Sequence, residues 1–290
     1  MLKQSLWALA AALFFSMMAA CVKLTNGELT TLEMVFYRSL FGVITIGLFV
    51  KRNHLSLKTP HLMGNITRSI LGTLSISVWF FTLGQLPFGT NMTLVYTTPL
   101  FMSVNFIILA LLRHQRAPWG LAAAIIAGFS GITIILQPSF SSDQLWPALL
   151  TLSVALLDLA IYWQMKELGR LQEPSWRIVF YFTCFGHMPS PEAALAVLAM
   201  GAFATLGQIA TTRSYAYGNM LLSSCLGFSA IPFAAIISWL LFDEPSTLMS
   251  ICGMLLITTA GIGATIITKR AEARGIAPVE GKVAAEGSKE

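Results

Sequence analysis

Charge is scarce in this chain. Only 11% of its 290 residues are Asp, Glu, Lys or Arg, against 56% hydrophobic, and the mean hydropathy is +0.72. Soluble domains are about a quarter charged, and a globule of this size has too much surface to hide so many apolar side chains. A soluble enzyme, a nucleic-acid-binding domain and a disordered chain are therefore excluded. Cysteine is sparse as well. Cys21, Cys184, Cys225 and Cys252 lie in or beside apolar runs and none forms a CxxC pair, so disulfide and metal chemistry have no framework. His54, His61, His114 and His187 fall in loops or at span ends, without ligand spacing. There is no GxxxxGK[ST] segment to support direct ATP drive. An intramembrane enzyme would need a nucleophile and a base at depth, and the chain has no HExxH, no GxSxG and no histidine inside a span. No cofactor and no metal are expected.

Apolar runs of membrane-crossing length are abundant. A crossing helix needs roughly 20 mostly apolar residues. Ten such runs lie between polar breaks, at about 4–22, 32–50, 62–84, 88–112, 119–137, 145–165, 176–188, 191–212, 219–241 and 246–268. Barrel strands alternate polar and apolar, whereas Leu121 to Leu136 is almost uniformly apolar. The fold class is an all-α membrane protein of about ten transmembrane helices, with the lipid bilayer as its first partner. The stretch ending Ala19-Ala20-Cys21 faintly resembles a processing site, but the membrane sequence that follows makes it a first span.

The basic residues give an orientation. With the N-terminus inside, 16 of the 18 Lys and Arg fall in inside segments, leaving only Lys23 and Arg38 outside. Positive charge gathers on the cytoplasmic side of span ends, so a multi-pass protein of the inner membrane with both termini cytoplasmic is expected. The net charge of +5 is spread over six loops, which argues against a nucleic-acid partner.

The chain also resembles itself. Val35-Phe36-Tyr37-Arg38-Ser39-Leu40-Phe41-Gly42 matches Val179-Phe180-Tyr181-Phe182-Thr183-Cys184-Phe185-Gly186, and a constant offset of 130 places Ser75 on Thr205, Thr82 on Thr212 and Gly131 on Gly261. Two five-helix repeats follow, residues 1–138 and 139–268, before a polar tail at 269–290 that reads as a disordered cytosolic extension. Five is odd, so the second half enters from the opposite side. Such inverted repeats are common in secondary transporters, with the substrate site between the halves.

Four stretches carry a resemblance to a known family: Thr30-Thr31-Leu32-Glu33 with Phe36-Tyr37-Arg38; Tyr96-Thr97-Thr98-Pro99-Leu100-Phe101; Leu206-Gly207-Gln208 with Thr211-Thr212-Arg213-Ser214-Tyr215-Ala216; and Trp239-Leu240-Leu241-Phe242-Asp243-Glu244-Pro245. In this order they resemble EamA-type transporters of the drug/metabolite transporter superfamily. The resemblance implies export or exchange of small metabolites such as amino acids, by alternating access without ATP. One departure stands out. From Gly42 to Arg68 is 26 residues, but from Gly186 to the matching Leu198 is 12, so the seventh helix is truncated by 14. What remains, Trp176 to Met188, spans roughly 20 Å against about 30 Å of hydrocarbon. A short crossing with local bilayer thinning is expected; a degenerate, non-transporting paralogue is the alternative.

Polar residues inside spans are expensive and mark candidate sites. Asp158 is the acidic residue near mid-span, with Tyr162 one turn on; it reads either as a substrate-amine or proton site or as a structural partner to a neighbouring hydroxyl. Ser75, Trp79 and Thr82 share a face of the third span, and Thr205, Gln208 and Thr212 the equivalent face of the eighth. Asn91, Thr98 and Asn105 recur every seven residues in the fourth, and Tyr96 and Trp163 are candidate aromatic walls. Arg38 reads either as a contact for a substrate carboxylate or as a cation snorkelling to the outer interface, with Glu33 nearby to pair with it. Lys23 also reads as snorkelling. Gly128, Gly131, Gly261 and Gly263 permit close helix approach, and in the family's architecture their spans would contribute to a homodimer contact. Cysteines placed one at a time at position 243 and at position 53 should react with an impermeant thiol reagent from opposite sides of the membrane. Labelling of both from the same side would remove the inverted topology.

Overall fold

In a computed structural model the described residues are all but 1, 57, 113–118, 137–142, 184–193, 219, 245–246 and 274–290. Every regular element among them is a helix: α1 (Leu2–Ser5), α2 (Trp7–Leu24), α3 (Thr31–Arg52), α4 (Leu62–Leu83), α5 (Phe88–Val95), α6 (Thr98–Leu112), α7 (Trp119–Leu136), α8 (Leu145–Arg170), α9 (Ser175–Thr183), α10 (Ala194–Tyr217), α11 (Met220–Gly227), α12 (Ala230–Phe242) and α13 (Leu248–Ala273). Among the described residues, four stretches are long and apolar enough to cross a membrane: Lys3–Leu24, Thr31–Arg52, Leu62–Leu83 and Leu145–Arg170. Shorter apolar helices accompany them.

Burial runs opposite to that of a soluble protein. Leu248 is 82% exposed, Met63 73% and Leu112 72%, while Arg38 and Arg68 are each 2% exposed and Asn91 is completely buried. Apolar side chains facing outward are at no disadvantage against lipid. Polar groups must instead find partners within the bundle, because hydrocarbon supplies none.

The two runs expected as continuous helices at 88–112 and 219–241 are both broken. The cause is local. Pro99 stands in the first turn of α6 and Pro232 in the first turn of α12, and neither can donate to the carbonyl four residues back. Around the first break the freed carbonyls are satisfied at once. The Thr97 hydroxyl donates to the Leu94 carbonyl at 2.6 Å and the Thr98 hydroxyl to the Val95 carbonyl at 3.1 Å. The break parts Asn91 from Thr98 and Asn105, so the seven-residue face does not exist as one stripe.

Helices α7 and α13 run antiparallel, with Gly131 beside Gly253 and Ile257, and Gly120 beside Ile267. A Cβ on Gly131 would lie 3.0 Å from the Gly253 carbonyl oxygen and 2.9 Å from Ile257. Gly128 meets Leu100, and Gly261 meets Phe228. Three of the four glycines singled out by sequence are thus spent on contacts within the chain, whereas a Cβ on Gly263 would meet nothing within 4 Å.

Two polar clusters tie helix ends together. At one end, Lys23 Nζ lies 2.6 Å from Glu244 Oε1 and 5.0 Å from the centre of the Phe242 ring. The other Glu244 oxygen accepts from the Phe88 amide at 2.9 Å. Lys23 is therefore ion-paired rather than snorkelling alone. At the opposite end of α4, Glu173 pairs with Arg177 at 3.0 Å and accepts from the Thr59 hydroxyl, while the Tyr217 hydroxyl donates to the Glu173 carbonyl. Helix α9 starts here. The rest of the seventh span, with Pro189 and Pro191, lies outside the described residues. So do Cys184, His187, His114 and most of the tail.

Replacement of Gly131 by leucine should lower the melting temperature in detergent by several degrees, consistent with about 1–3 kcal/mol of overpacking. Gly263→Leu should leave it within about a degree. Equal effects at the two positions would show that α7 and α13 do not pack as described.

Candidate functional site

Asp158 stands on α8 with Ile161, Tyr162 and Met165, at spacings of three, four and seven that put all four on one helix face. That face looks into a cavity between α2, α4, α5, α8 and α10. Helix α4 presents Arg68, Gly72, Ser75, Ile76 and Trp79; α10 presents Gln208 and Thr211; α2 brings Phe15; Val95 and Tyr96 come from the α5–α6 break. The water-accessible space is about 70 Å³. That is room for a few waters, well below the roughly 300 Å³ of pockets that enclose drug-sized ligands. A ligand of that size would fit only if the walls separated.

Polar contacts hold the wall in place. The Ser75 hydroxyl donates to Asp158 Oδ1 at 2.9 Å, joining α4 to α8. Arg68 lines the same cavity from the same α4 face as Ser75. Trp79 is held by its indole N–H, which donates to Asn91 Oδ1 at 3.0 Å. Asn91 in turn donates to the Thr82 hydroxyl at 3.0 Å and reaches Thr151 at 3.5 Å. One amide therefore links α4, α5 and α8. Tyr162 stacks on Tyr215, ring centres 4.0 Å apart and 11° from parallel, so the tyrosine wall is backed by α10.

Of the residues singled out by sequence, Ser75, Trp79, Tyr96, Asp158, Tyr162 and Gln208 converge on this cavity. Arg38 lies one layer behind, its Nη2 donating to Gln208 Oε1 at 3.4 Å. At 2% exposure it does not snorkel to an interface. Nor does Glu33 serve it: the Glu33 carboxylate accepts from the Thr30 amide at 2.7 Å and the Thr30 hydroxyl at 2.8 Å, closing a capping box at the start of α3. Thr98, Asn105 and Thr212 do not line the cavity. Thr98 is occupied in capping the broken helix, Asn105 sits on α6 beyond that break, and Thr212 is buried a helix turn away from Gln208. Trp163 is 46% exposed and faces away from the site.

Arg68 is the residue that sequence reading missed. It was counted among the inside cations, yet it lies about 9 Å along α4 from Leu62 and is 2% exposed. A signal was present. Arg68, Gly72, Ser75 and Trp79 follow one another at four, three and four residues, which is a single helical stripe. Thr211 and Phe15 were also missed, being ordinary residues in apolar surroundings.

A multi-pass bundle that turns its polar groups inward onto an enclosed, charged and aromatic-walled space has the construction of a membrane transport protein. The comparisons agree. Residues 2–137 match the EamA-like transporter family. It is similar to the pseudopaline exporter CntI of Pseudomonas aeruginosa strain UCBPP-PA14, 25% identical over 271 residues, covering 89% of this chain and 94% of that protein. It is also similar to the riboflavin transporter of Rhizobium johnstonii, 25% identical over 273 residues, covering 89% of each. A protein solved by crystallography superposes with a TM-score of 0.65 at 16% identity, covering 92% of this chain and 99% of that one. That likeness concerns the fold alone.

Removing the linking amide tests the wall. Asn91→Leu should cost about 1–2 kcal/mol of stability, the worth of interhelical hydrogen bonds in a membrane bundle, measured by unfolding in mixed micelles. In that background Trp79→Phe should cost measurably less than it does alone. Additive effects would show that the Trp79–Asn91 bond carries no weight.

Proposed function

We propose that the protein is a secondary transporter of the inner membrane, with both termini cytoplasmic, that exports or exchanges a small polar metabolite of the amino-acid kind by alternating access without ATP. The observation that carries this reading is the enclosed cavity. It sits between helices of both halves of the chain and joins an acid, Asp158, and a base, Arg68, to aromatic walls. An amino-acid-like ligand would place its amine on Asp158 and its carboxylate on Arg68.

Two inverted halves give this cavity a means of changing access. Helices α2 and α8 are counterparts in the repeat and both line the cavity, as do the counterparts α4 and α10. The proline-broken pairs α5–α6 and α11–α12 occupy matching places in the two halves, and α7 packs on its counterpart α13. These correspondences support an approximate two-fold axis through the cavity. Rocking about it would open one end as the other closes. The Lys23–Glu244 pair, about 12 Å along α2 from Phe15, would then be the outer latch, since it joins the first half to the second. Partly exposed ion pairs contribute only about 0–1 kcal/mol, and a weak latch suits an element that must open on every cycle. The export direction is supported by similarity to a protein named as an exporter.

Reconstituted protein should show counterflow of an amino acid when screened across the common set, and Asp158→Asn should reduce it by more than about tenfold, as expected for loss of a charged contact. Unchanged flux in that variant would remove Asp158 from the site. A reducible bifunctional thiol cross-linker joining Lys23→Cys to Glu244→Cys should arrest flux, and reduction should restore it. Flux that persists through the cross-link would rule out the latch. Absence of flux from any preparation that stays folded would favour a non-transporting paralogue.

A further inference from the structure

A second concavity lies apart from the central cavity and shares no lining residue with it. It is a groove of about 310 Å³ where the start of α4 meets the end of α8, within the size range of sites that enclose ligands. Helix α8 lines it with Gln164, Glu167 and Leu168, at spacings of three and four that fall on one face. His61, Met63 and Gly64 line it from the other side. The two helices are close here: a Cβ on Gly64 would lie 3.0 Å from Leu168 Cδ2.

The polar groups of the groove favour a cation. Gln164 Oε1 is buried, and among the described residues nothing donates to it. Such an oxygen costs free energy once removed from water, which a ligand N–H would recover. The Glu167 carboxylate is exposed and can only accept. Arg170 Nη1 lies 2.9 Å from Glu167 Oε2, so a positive charge stands at the lip beside the negative one. A group with its own cation and anion, set a few bonds apart, complements that pair. The ring N–H of His61 is a further donor for the anion.

Depth in the bilayer narrows the choice. The groove sits where the apolar spans Leu62–Leu83 and Leu145–Arg170 end, which is headgroup level. Trp163, one turn before Glu167, is exposed there as an interfacial ring would be. From Met63 an exposed stripe continues along α4 through Thr67, Ile70 and Leu74, at spacings of four, three and four, for about 16 Å. The Thr67 hydroxyl donates to the Met63 carbonyl at 3.0 Å, so the stripe asks no hydrogen bond of a lipid chain.

We propose that this groove is a specific site for a phospholipid with a primary-amine headgroup, phosphatidylethanolamine. Glu167 and Gln164 Oε1 receive the ammonium, Arg170 and His61 face the phosphate, and one acyl chain follows the stripe from Met63 to Leu74. Phosphatidylcholine has no N–H for Gln164, and phosphatidylglycerol has no cation for Glu167. The bound lipid bridges α4 and α8, the helices that Ser75 and Asp158 also join.

The test titrates delipidated full-length protein in detergent with phosphatidylethanolamine, phosphatidylcholine and phosphatidylglycerol of identical acyl chains, followed by thermal unfolding and native mass spectrometry. Phosphatidylethanolamine should stabilise most and persist as a bound adduct. Glu167→Gln should weaken it by about threefold, the size expected for an exposed charge pair. Gln164→Leu should narrow its advantage over phosphatidylcholine, and Glu167→Gln, at an exposed position, serves where that variant fails to fold. Equal binding of the three lipids overturns the proposal, and so does a preference that either folded variant leaves undiminished. Soluble phosphoethanolamine separates headgroup from lipid. At millimolar concentration it should not stabilise, and stabilisation equal to the lipid's would assign the groove to a free metabolite instead.

Discussion

The structure depends on one constraint: lipid offers no hydrogen bonds, so each polar group within the bundle must be satisfied by another part of the chain. Apolar side chains decide little here, because lipid tails receive Leu248 or Met63 as readily as a neighbouring helix would. Specificity falls to the few polar groups and the close contacts. Asn91 is the clearest instance, joining three helices through one amide and fixing Trp79 in the process. Ser75 does the same work between α4 and α8, and in doing so brings Asp158 to the cavity.

The breaks at Tyr96–Thr97 and Phe228–Ser229 follow from the same constraint. Proline frees a carbonyl, and a freed carbonyl is tolerable at membrane depth only where it is buried in protein and capped. The threonines before Pro99 supply the caps. Once α5 and α6 are independent pieces, Tyr96 can turn into the cavity while α6 passes on beside α7. Discontinuous helices beside a substrate site are a recurring means by which transporters place backbone and side chains near a ligand. The cost of the interruption is thereby tied to the place where it is useful.

Legibility in the sequence varied with the range of the interaction. Stripes on a single helix were readable, and so Ser75 with Trp79, and Asp158 with Tyr162, were found and do share a wall. Helix breaks were partly readable from Pro99 and Pro232, yet uniform hydrophobicity masked them and produced the false stripe Asn91–Thr98–Asn105. Arg68 was lost for a different reason. An arginine near a span end counts toward topology, and only the packing of α4 shows that this one is buried. Arg38 failed likewise, since a cation one turn into a helix can reach an interface or a buried partner with equal ease.

Composition and periodicity by themselves determined that the chain is a helical membrane protein, that most of its charge lies toward helix ends and loops, and which polar residues share a face. Those properties are local and follow from the solvent each segment meets. The tertiary structure alone decided that Arg68 lines the same cavity as Asp158, that Gln208 turns its carbonyl to Arg38 and that Lys23 pairs with Glu244 across 221 residues. Each of these joins distant segments through side chains whose sequence neighbours are apolar, so only the packing of the helices could choose the partner.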